Sequence, residues 1–399
     1  MSLKIPNTWK LVRCQDVVDV RDGTHDTPAK VSSGIPLITS KNLKPEGIDF
    51  SDVTYISEFD HQQIEKRSRV DDGDILFAMI GTIGNPMVVE KDRPFSIKNV
   101  ALFKLGESQV VPKYFKYLLS TQFLKQQLDV ATRGGTQKFV SLQMLRNLII
   151  PLPPIAEQKR IAAILDKAEE LRGLRRKALG ELDAVVQSIF IEMFGDPITD
   201  SKGWSVSQLR AHTLKIGSGA TPTGGDSAYK ETGISLIRSL NVRNGKFSLK
   251  DLAFIDNEQA SKLSNVVVKV GDVLLNITGA SVARVCRVPS DVLPARVNQH
   301  VAIIRPKSTL NEVYLEQMLL YPSFKQILLK TAEAGATRQA ITKLQIEGLC
   351  IPVPPLPLQE EFARRVGAIE HLKTTHRESL AQLNALFASL QHRAFRGEL

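Results

Sequence analysis

The chain has 399 residues, of which 43% are hydrophobic and 24% are charged, so its composition is globular and excludes an intrinsically disordered protein. This length exceeds what one hydrophobic core usually organises and indicates two or three domains. The formal net charge of +10 favours a polyanionic partner such as nucleic acid.

Two further classes of protein are excluded by what the sequence lacks. No apolar run reaches the roughly 18–20 residues of a membrane helix, and the start of the chain has no apolar signal region. The three cysteines, Cys14, Cys286 and Cys350, are odd in number and far apart, a pattern that predicts neither a disulfide framework nor a metal site. We therefore expect a cytoplasmic protein.

Along the chain, short apolar segments alternate with helical patterns, which predicts a mixed α/β fold. Strands are predicted at 35–38, 74–80 and 100–105, a helix at 112–129, strands at 234–237, 272–277 and 300–305, and a helix at 312–330. Each strand is bounded by Gly, Pro, Asn or Asp, the residues that favour turns.

An internal repeat organises the chain. The segment "LIIPLPPIAEQKRI" at 148–161 is matched by "LCIPVPPLPLQEEF" at 349–362, a displacement of 201 residues. Looser matches precede both, for example "GIPLITSKNL" (34–43) and "GISLIRSLNV" (233–242). The pattern predicts two similar but diverged globular units, each followed by a matching helical segment.

Both matching segments predict long helices, because apolar residues recur after the prolines in steps of three and four. Each helix would have about 38–40 residues and a length of about 55–60 Å. We expect the two helices to pack on each other as an antiparallel coiled-coil pair; packing of each helix on its own globular unit is the alternative. The residues of the helix-pair and partner interface would be Ile161, Leu165, Leu171, Leu182 and Ile189 in the first helix, and Phe362, Val366, Leu372, Leu383 and Leu390 in the second.

No recognisable catalytic motif is present. The glycine-rich "GSGATPTGGD" (217–226) lacks the Gly-Lys-Ser/Thr ending of a phosphate-binding loop. "IGNPMV" (83–88) has only part of the Asn-Pro-Pro-aromatic loop of amino-methyltransferases. The sequence therefore predicts a binding protein, with no catalytic residue and no metal ligand of its own.

These features resemble the specificity (S) subunits of type I restriction–modification systems. The resemblance lies in the repeated "IPLPPIAEQKRIAAILD"-type helix, in "SIFIEMFGDP" (188–197), in "AFRGEL" (394–399) and in the lead-in "GTQKFVSLQMLRNLIIP" (135–151), and it covers essentially the whole chain. The second copy departs from the family pattern at Leu358 and Glu360, where Glu-Gln-Lys reads Leu-Gln-Glu. That departure could weaken the start of the second helix or its partner contacts.

The resemblance implies two target recognition domains at 1–149 and 197–350, with conserved spacer helices at 150–196 and 351–399. Each domain would read one half of a split, asymmetric sequence in double-stranded DNA. The implied partners are two modification (methyltransferase) subunits and restriction (translocase and endonuclease) subunits. The S subunit would direct adenine N6 methylation and DNA cleavage while binding no cofactor; S-adenosylmethionine, ATP and Mg²⁺ would be bound by the partners.

Candidate DNA-contacting residues lie in Gly/Thr-rich loops that repeat in both halves, since polar and basic side chains on loops can reach base edges. Arg133, Lys138 and Arg338 are the strongest candidates, because they precede the helices in matching loops. The alternative is that the glycines only make turns and the cations are solvated. The full set is Thr24, His25, Lys41, Asn42, Thr82, Asn85, Arg133, Thr136, Gln137 and Lys138 in the first half, and Ser218, Thr221, Thr223, Arg238, Asn241, Arg243, Ser281, Arg284, Thr337, Arg338 and Gln339 in the second.

Two alternatives stay open from the sequence. One is a scaffold whose α/β units bind other proteins and whose helices oligomerise it, and salt-sensitive DNA binding would separate it from a DNA reader. The other is an S-like chain that has lost its partners or serves only as an exchangeable specificity cassette, and a neighbouring methyltransferase gene would discriminate.

Overall fold

The computed structural model describes residues 5–44, 47–81, 83–131, 139–199, 202–333 and 339–399. The chain forms two compact units. The first consists of Met1–Arg176 together with Glu378–Leu399, and the second consists of Lys177–Arg377. Within the described ranges, no helix is long and apolar enough to cross a membrane.

A four-stranded antiparallel sheet lies at the centre of the first unit. The strands of this unit are β1 (Lys10–Arg13), β2 (Asp19–Asp22), β3 (Ile35–Ile38), β4 (Leu43–Lys44), β5 (Gly47–Ile48), β6 (Thr54–Ile56), β7 (Ile75–Ala78), β8 (Gly84–Val88), β9 (Ser96–Ile97), β10 (Val100–Lys104) and β11 (Ile149–Leu152). The central sheet has the order β2-β10-β7-β8, and β6-β3-β9, β1-β11 and β4-β5 form smaller sheets. Strand β7 is buried along its whole length, which explains its unbroken apolar sequence.

The helices among and after these strands are α1 (Glu58–Ser68), α2 (Pro112–Leu119), α3 (Gln122–Ala131), α4 (Leu142–Arg146) and α5 (Ile155–Phe194), and α5 belongs to the first unit only as far as Arg176. The single helix predicted at 112–129 is therefore two helices. Thr121 separates them, because its hydroxyl donates to the Leu118 carbonyl oxygen (2.7 Å) and accepts from the Leu124 amide (3.3 Å). The same side chain thus ends α2 and caps α3.

The second unit repeats this order element for element. Its strands are β12 (Val206–Gln208), β13 (Thr213–Ser218), β14 (Ile234–Ile237), β15 (Val242–Arg243), β16 (Lys246–Phe247), β17 (Ala253–Ile255), β18 (Val273–Asn276), β19 (Val285–Arg287), β20 (Ala295–Val297), β21 (Val301–Pro306) and β22 (Cys350–Pro352). Its helices are α6 (Asn257–Ser261), α7 (Glu312–Leu320), α8 (Pro322–Glu333), α9 (Lys343–Glu347) and α10 (Leu356–Ala394). The sheet orders β13-β21-β18-β19, β17-β14-β20, β12-β22 and β15-β16 match those of the first unit.

The prediction of a mixed α/β fold is confirmed. The six predicted strands correspond to β3, β7, β10, β14, β18 and β21. The helix predicted at 312–330 is divided at Pro322 into α7 and α8, since proline has no amide hydrogen to continue the helical bonds.

The two long helices have 40 residues in α5 and 39 in α10, or about 60 Å each at 1.5 Å per residue. Helix α5 ends before Gly195, whose φ of 75° is the left-handed conformation common at helix C-termini. The division between the units falls after Arg176 and after Arg377. Each unit therefore contains one half of α5 and one half of α10. The division into two target recognition domains and two spacer helices stays a prediction.

Within the first unit, the first half of α5 lies antiparallel to the last half of α10. The Arg172 guanidinium donates to the Asn384 side chain (2.8 Å) and lies 4.4 Å from the Phe387 ring centre. Nearer the start of α5, Arg160 donates to the Leu399 carbonyl oxygen (2.9 Å). These contacts are polar and aromatic, and near the start of α5 the apolar side chains of Ile161 and Leu165 lie in the same buried cluster as Ala394 and Phe395.

Within the second unit, the remaining halves also run antiparallel. The Phe362 ring of α10 lies 5.6 Å from Phe190 and 5.2 Å from Phe194 of α5, centre to centre. Farther along, the Lys373 ammonium lies 2.6 Å from the Asp183 carboxylate.

The predicted interface residues divide into a buried and an exposed set. Leu171 and Leu372 are 41% and 50% exposed, so they are not buried between the two helices, and their assignment to the helix-pair and partner interface stays a prediction. The neighbouring Arg172 and Lys373 make the contacts to the opposite helix instead. Ile161, Leu165, Phe362 and Val366 are buried in the cores of the units, and Leu182, Ile189, Leu383 and Leu390 are half-buried.

A buried glutamine anchors each long helix to its own unit. The Gln158 side chain accepts from the Val111 amide (2.8 Å) and donates to the carbonyl oxygens of Gln109 (3.0 Å) and Pro153 (2.9 Å). Gln359 makes the equivalent bonds to the Asn311 amide and to the carbonyl oxygens of Thr309 and Pro354. These bonds give a physical reason for the Gln in both copies of the repeated segment.

Candidate nucleic-acid interface

In the first unit, the candidate loop 22–28 is joined to the turn before β10. The His25 ring lies with Nε2 2.8 Å from the Asp22 carboxylate and Nδ1 3.1 Å from the Asn99 side-chain oxygen. Gly23 packs so closely on Ile97 that an added Cβ would lie 2.2 Å from the Ile97 carbonyl oxygen. Only glycine allows this approach of the two loops.

A buried carboxylate holds the base of this loop. The Asp22 side chain is only 6% exposed. Its carboxylate forms an ion pair with Arg67, and also with His25 when the imidazole ring is protonated. Arg67 itself is 62% exposed, so its guanidinium both compensates a buried charge and reaches the surface. This arrangement fixes the backbone of the loop while its cations stay accessible.

The predicted contact residues Asn42 and Asn241 are buried, which contradicts their assignment as base-contacting residues. They are 2% and 0% exposed. Each amide oxygen accepts from the backbone of its own turn, and each amide nitrogen donates to two backbone carbonyl oxygens. Asn is needed here because its side chain can satisfy a turn that has no other partner. The adjacent Lys41 is 58% exposed and pairs with Asp52.

The third candidate loop of the first unit, 80–85, follows β7. Ile80 forms a β-bridge with Phe139, and Asn85 is exposed with a φ of 48°. Thr82, Arg133, Thr136, Gln137 and Lys138 lie outside the described residues, as do Thr337 and Arg338 of the second unit. Their assignments stay predictions.

The second unit builds the same arrangement with different side chains. An added Cβ on Gly219 would lie 1.9 Å from the Val297 carbonyl oxygen, and the Thr221 hydroxyl contacts the Gln299 side chain. The Thr278 hydroxyl lies 2.6 Å from Nδ1 of His300. Both candidate loops, 217–225 and 278–284, therefore contact the turn that precedes β21.

The remaining candidate DNA-contacting residues of the second unit differ in how far their side chains are exposed to solvent. The Arg238 guanidinium donates to the Asp251 carbonyl oxygen (2.6 Å) and lies 5.0 Å from the Tyr229 ring centre. These contacts hold the Arg238 side chain against its own unit. Ser218, Ser281 and Arg284 are half-buried, whereas Thr223, Arg243 and Gln339 are exposed. Thr24 is half-buried in the corresponding loop of the first unit.

Four residues that sequence reasoning missed complete these surfaces: Lys98 and Asn99 in the first unit, and Gln299 and His300 in the second. Each pair stands immediately before the first residue of a buried strand, 201 residues from its counterpart. The signal was present in the sequence as "IKNV" and "NQHV", a polar pair ahead of a strand in both copies of the repeat. Lys98 contacts the Thr27 hydroxyl.

The described residues offer binding groups rather than a reaction centre. Burial raises the pKa of the Cys14 and Cys286 thiols to about 12, so neither is a reactive thiolate at neutral pH. Among the described residues, no group of His, Cys, Asp and Glu could hold a metal ion. The surfaces instead combine cations, amides and hydroxyls, the groups that meet phosphates and base edges.

Comparison with known proteins agrees with this geometry. Residues 6–182 match the family model of the type I restriction modification DNA specificity domain. The chain is 24% identical over 431 residues to the type I restriction enzyme EcoBI specificity subunit of Escherichia coli, covering 100% of this chain and 87% of that protein.

Two solved structures share the fold over the full length. One is the type I restriction–modification system S subunit from M. genitalium, with 12% identity, a TM-score of 0.55 and 98% of both chains covered. The other comes from work on complex assembly and conformational transition of the type I R-M system, with 21% identity, a TM-score of 0.54 and 100% of both chains covered.

The chain therefore shares with these proteins a fold built from two like units. Residues 6–182 match the type I restriction modification DNA specificity domain, and over its full length the chain is similar to specificity subunits of type I restriction enzymes. The expectation of a non-catalytic chain agrees with these relatives, which are named as specificity subunits.

Proposed function

We propose that the chain reads an asymmetric DNA target in two parts, with one unit on each part. The observation that supports this most is a common scaffold with different side chains at equivalent positions. His25, Lys98 and Asn99 of the first unit stand where Thr221, Gln299 and His300 stand in the second. A common scaffold would dock each unit on DNA in the same way, and different donors and acceptors would select different bases.

The proposed division of labour follows the repeat. Residues 1–149 and 197–350 act as target recognition domains, and 150–196 and 351–399 act as spacer helices that hold the recognised parts apart. A helix of about 60 Å corresponds to between one and two turns of DNA at about 34 Å per turn. The gap between the two parts of the target would depend on this length.

The proposed partners are two modification subunits, with restriction subunits in the complete enzyme. Exposed apolar side chains on the long helices support a partner bound twice, because Leu171 and Leu372 are 201 residues apart, as are Val185 and Leu386, and all four are 41–50% exposed. The partners would bind S-adenosylmethionine, ATP and Mg²⁺. This chain would direct their adenine N6 methylation and DNA cleavage to the target.

A single-molecule methylome of the source organism, with and without this chain, tests the proposal. Loss of one split, asymmetric N6-methyladenine motif is the expected result and reveals the target. A companion strain carries Lys98→Gln with Asn99→His, which places the second unit's pair on the first unit. One part of the motif should change and the other should stay; an unchanged methylome without the chain would favour the scaffold alternative.

A further inference from the structure

Each unit contains a basic cleft between its α/β part and the halves of the long helices that belong to it. The first cleft has a volume of about 500 Å³ and lies among β8, α2, α3, α5 and α10. The second has a volume of about 650 Å³ and lies among α5, α7, α8, α10 and the turn between β15 and β16.

One wall of both clefts is duplicated. In the first cleft, Glu169 forms ion pairs with Arg172 and Arg176. In the second, Glu370 forms ion pairs with Lys373 and Arg377, each displaced by 201 residues from its counterpart. These cations all have carboxylate partners. In the second cleft Asp183 also pairs with Lys373, so the charges of that wall balance, whereas in the first cleft Glu169 alone faces both arginines and one positive charge is left over.

The other walls carry cations without carboxylate partners. Lys44, Lys116 and Lys125 line the first cleft, and Lys246 and Lys325 line the second. Within the described part of the chain, none of these five ammonium groups forms an ion pair. Each cleft therefore carries a positive charge that the folded chain does not neutralise locally.

Lys325 shows this excess charge most clearly. Its side chain is half-buried, and burial together with the nearby Arg284 guanidinium lowers the pKa of Lys325. Two close cations in a partly desolvated position repel each other. An anion placed between them would relieve this repulsion.

Both clefts continue into the candidate DNA-contacting loops. Gly84 and Asn85, which line the first cleft, belong to the loop 80–85. In the second unit, Asn244–Lys246 line the cleft and directly follow the loop 238–243. Counted along the strands from the paired positions of β8 and β19, Asn85 in β8 and Arg284 directly before β19 are equivalent residues.

We propose that the two clefts bind the sugar-phosphate backbone of the DNA beside each part of the target. This inference rests on the proposed function. A feature that both units share must meet something present at both places, and the backbone is the same whatever the base sequence. Lysines without carboxylate partners neutralise phosphates without demanding a particular geometry, which fits their different positions in the two clefts.

The test uses the full chain assembled with its modification subunits, and two duplexes, one with the methylome-derived target and one without it. Binding of each duplex is measured over a series of KCl concentrations. For Lys116→Gln with Lys125→Gln, we expect weaker binding of both duplexes by a similar factor. The slope of log affinity against log salt should become shallower by about 0.9 for each phosphate that the variant no longer neutralises. Lys325→Gln removes one ammonium group, so its slope should become shallower by about 0.9.

A matched control removes two charges elsewhere in the first unit. Lys10 and Lys159 are exposed and, among the described residues, make no ion pair, so Lys10→Gln with Lys159→Gln should leave the slope unchanged. An unchanged slope in the cleft variants would overturn the proposal. So would failure to assemble with the modification subunits, measured by mass photometry, because that result identifies a protein partner in the clefts. If the unaltered complex binds both duplexes equally, the proposed recognition of a DNA target is wrong. The slopes of log affinity against log salt for the cleft variants still test whether the clefts bind the DNA backbone.

Discussion

Replacement of Gln158 by Leu tests how the first long helix is attached to its unit. Leu fills a similar volume but leaves the Val111 amide and the carbonyl oxygens of Gln109 and Pro153 without their partner. Gln158 is 1% exposed, so water does not readily replace it. A buried group left unpaired costs about 1–3 kcal/mol, and three such groups predict a loss of roughly 3 kcal/mol or more in the free energy of unfolding.

The loss is measured by chemical denaturation, and hydrogen exchange of the segment 109–119 should become faster. Gln187→Leu is the matched control, because Gln187 lies exposed on the same helix. Gln359→Leu should cost slightly less, since its bond to the Thr309 carbonyl oxygen is 3.4 Å long. Unchanged stability and exchange in Gln158→Leu would refute the reasoning that these bonds hold the helix.

Three further predictions concern the surface, the loops and the clefts. Leu171→Glu should weaken assembly with the modification subunits by mass photometry, yet change the free energy of unfolding by no more than about 0.5 kcal/mol, because Leu171 is 41% exposed; loss of folding would place it in a core. Gly219→Ala should destabilise the chain by about 1–3 kcal/mol in denaturant titrations, because its Cβ would meet the Val297 carbonyl oxygen, whereas Gly217→Ala has open space and should not. Lys325→Met should raise the unfolding midpoint of the free chain at neutral pH. The pKa of Lys325 is lowered on folding, so this gain should vanish as the pH rises towards the unfolded value of about 10.4; a gain independent of pH would contradict it.

The two units show how one scaffold can be kept while its surface changes. The aspartate of each Gly-Asp turn is buried and forms an ion pair in both units, Asp74 with Lys104 and Asp272 with Arg305. The tyrosines Tyr114 and Tyr314 donate to equivalent carbonyl oxygens at the end of the last strand. These repeated polar contacts hold the loops in position, so the side chains on the loops are free to differ.

The order of the elements was determined by the sequence alone. Apolar periodicity is a local property, so it predicted strands such as β3 and β14 and both long helices without any knowledge of their neighbours. The repeat at 201 residues predicted that the second unit would follow the first. The resemblance carried by the repeated segment predicted the similarity to specificity subunits that the comparisons found.

Which side chains are available was decided only by the tertiary structure, because burial depends on residues distant in the chain. The sequence predicted that Asn42 and Asn241 contact DNA, but both side chains are buried and hydrogen-bonded to the backbone of their own turns. Leu171 fits the apolar stripe, yet the contact to the other helix is made by Arg172 with Asn384, 212 residues away. Such contacts between distant residues produce no periodic pattern in the sequence. Only the tertiary structure shows that Lys98 and Asn99 lie beside the candidate loop 22–28.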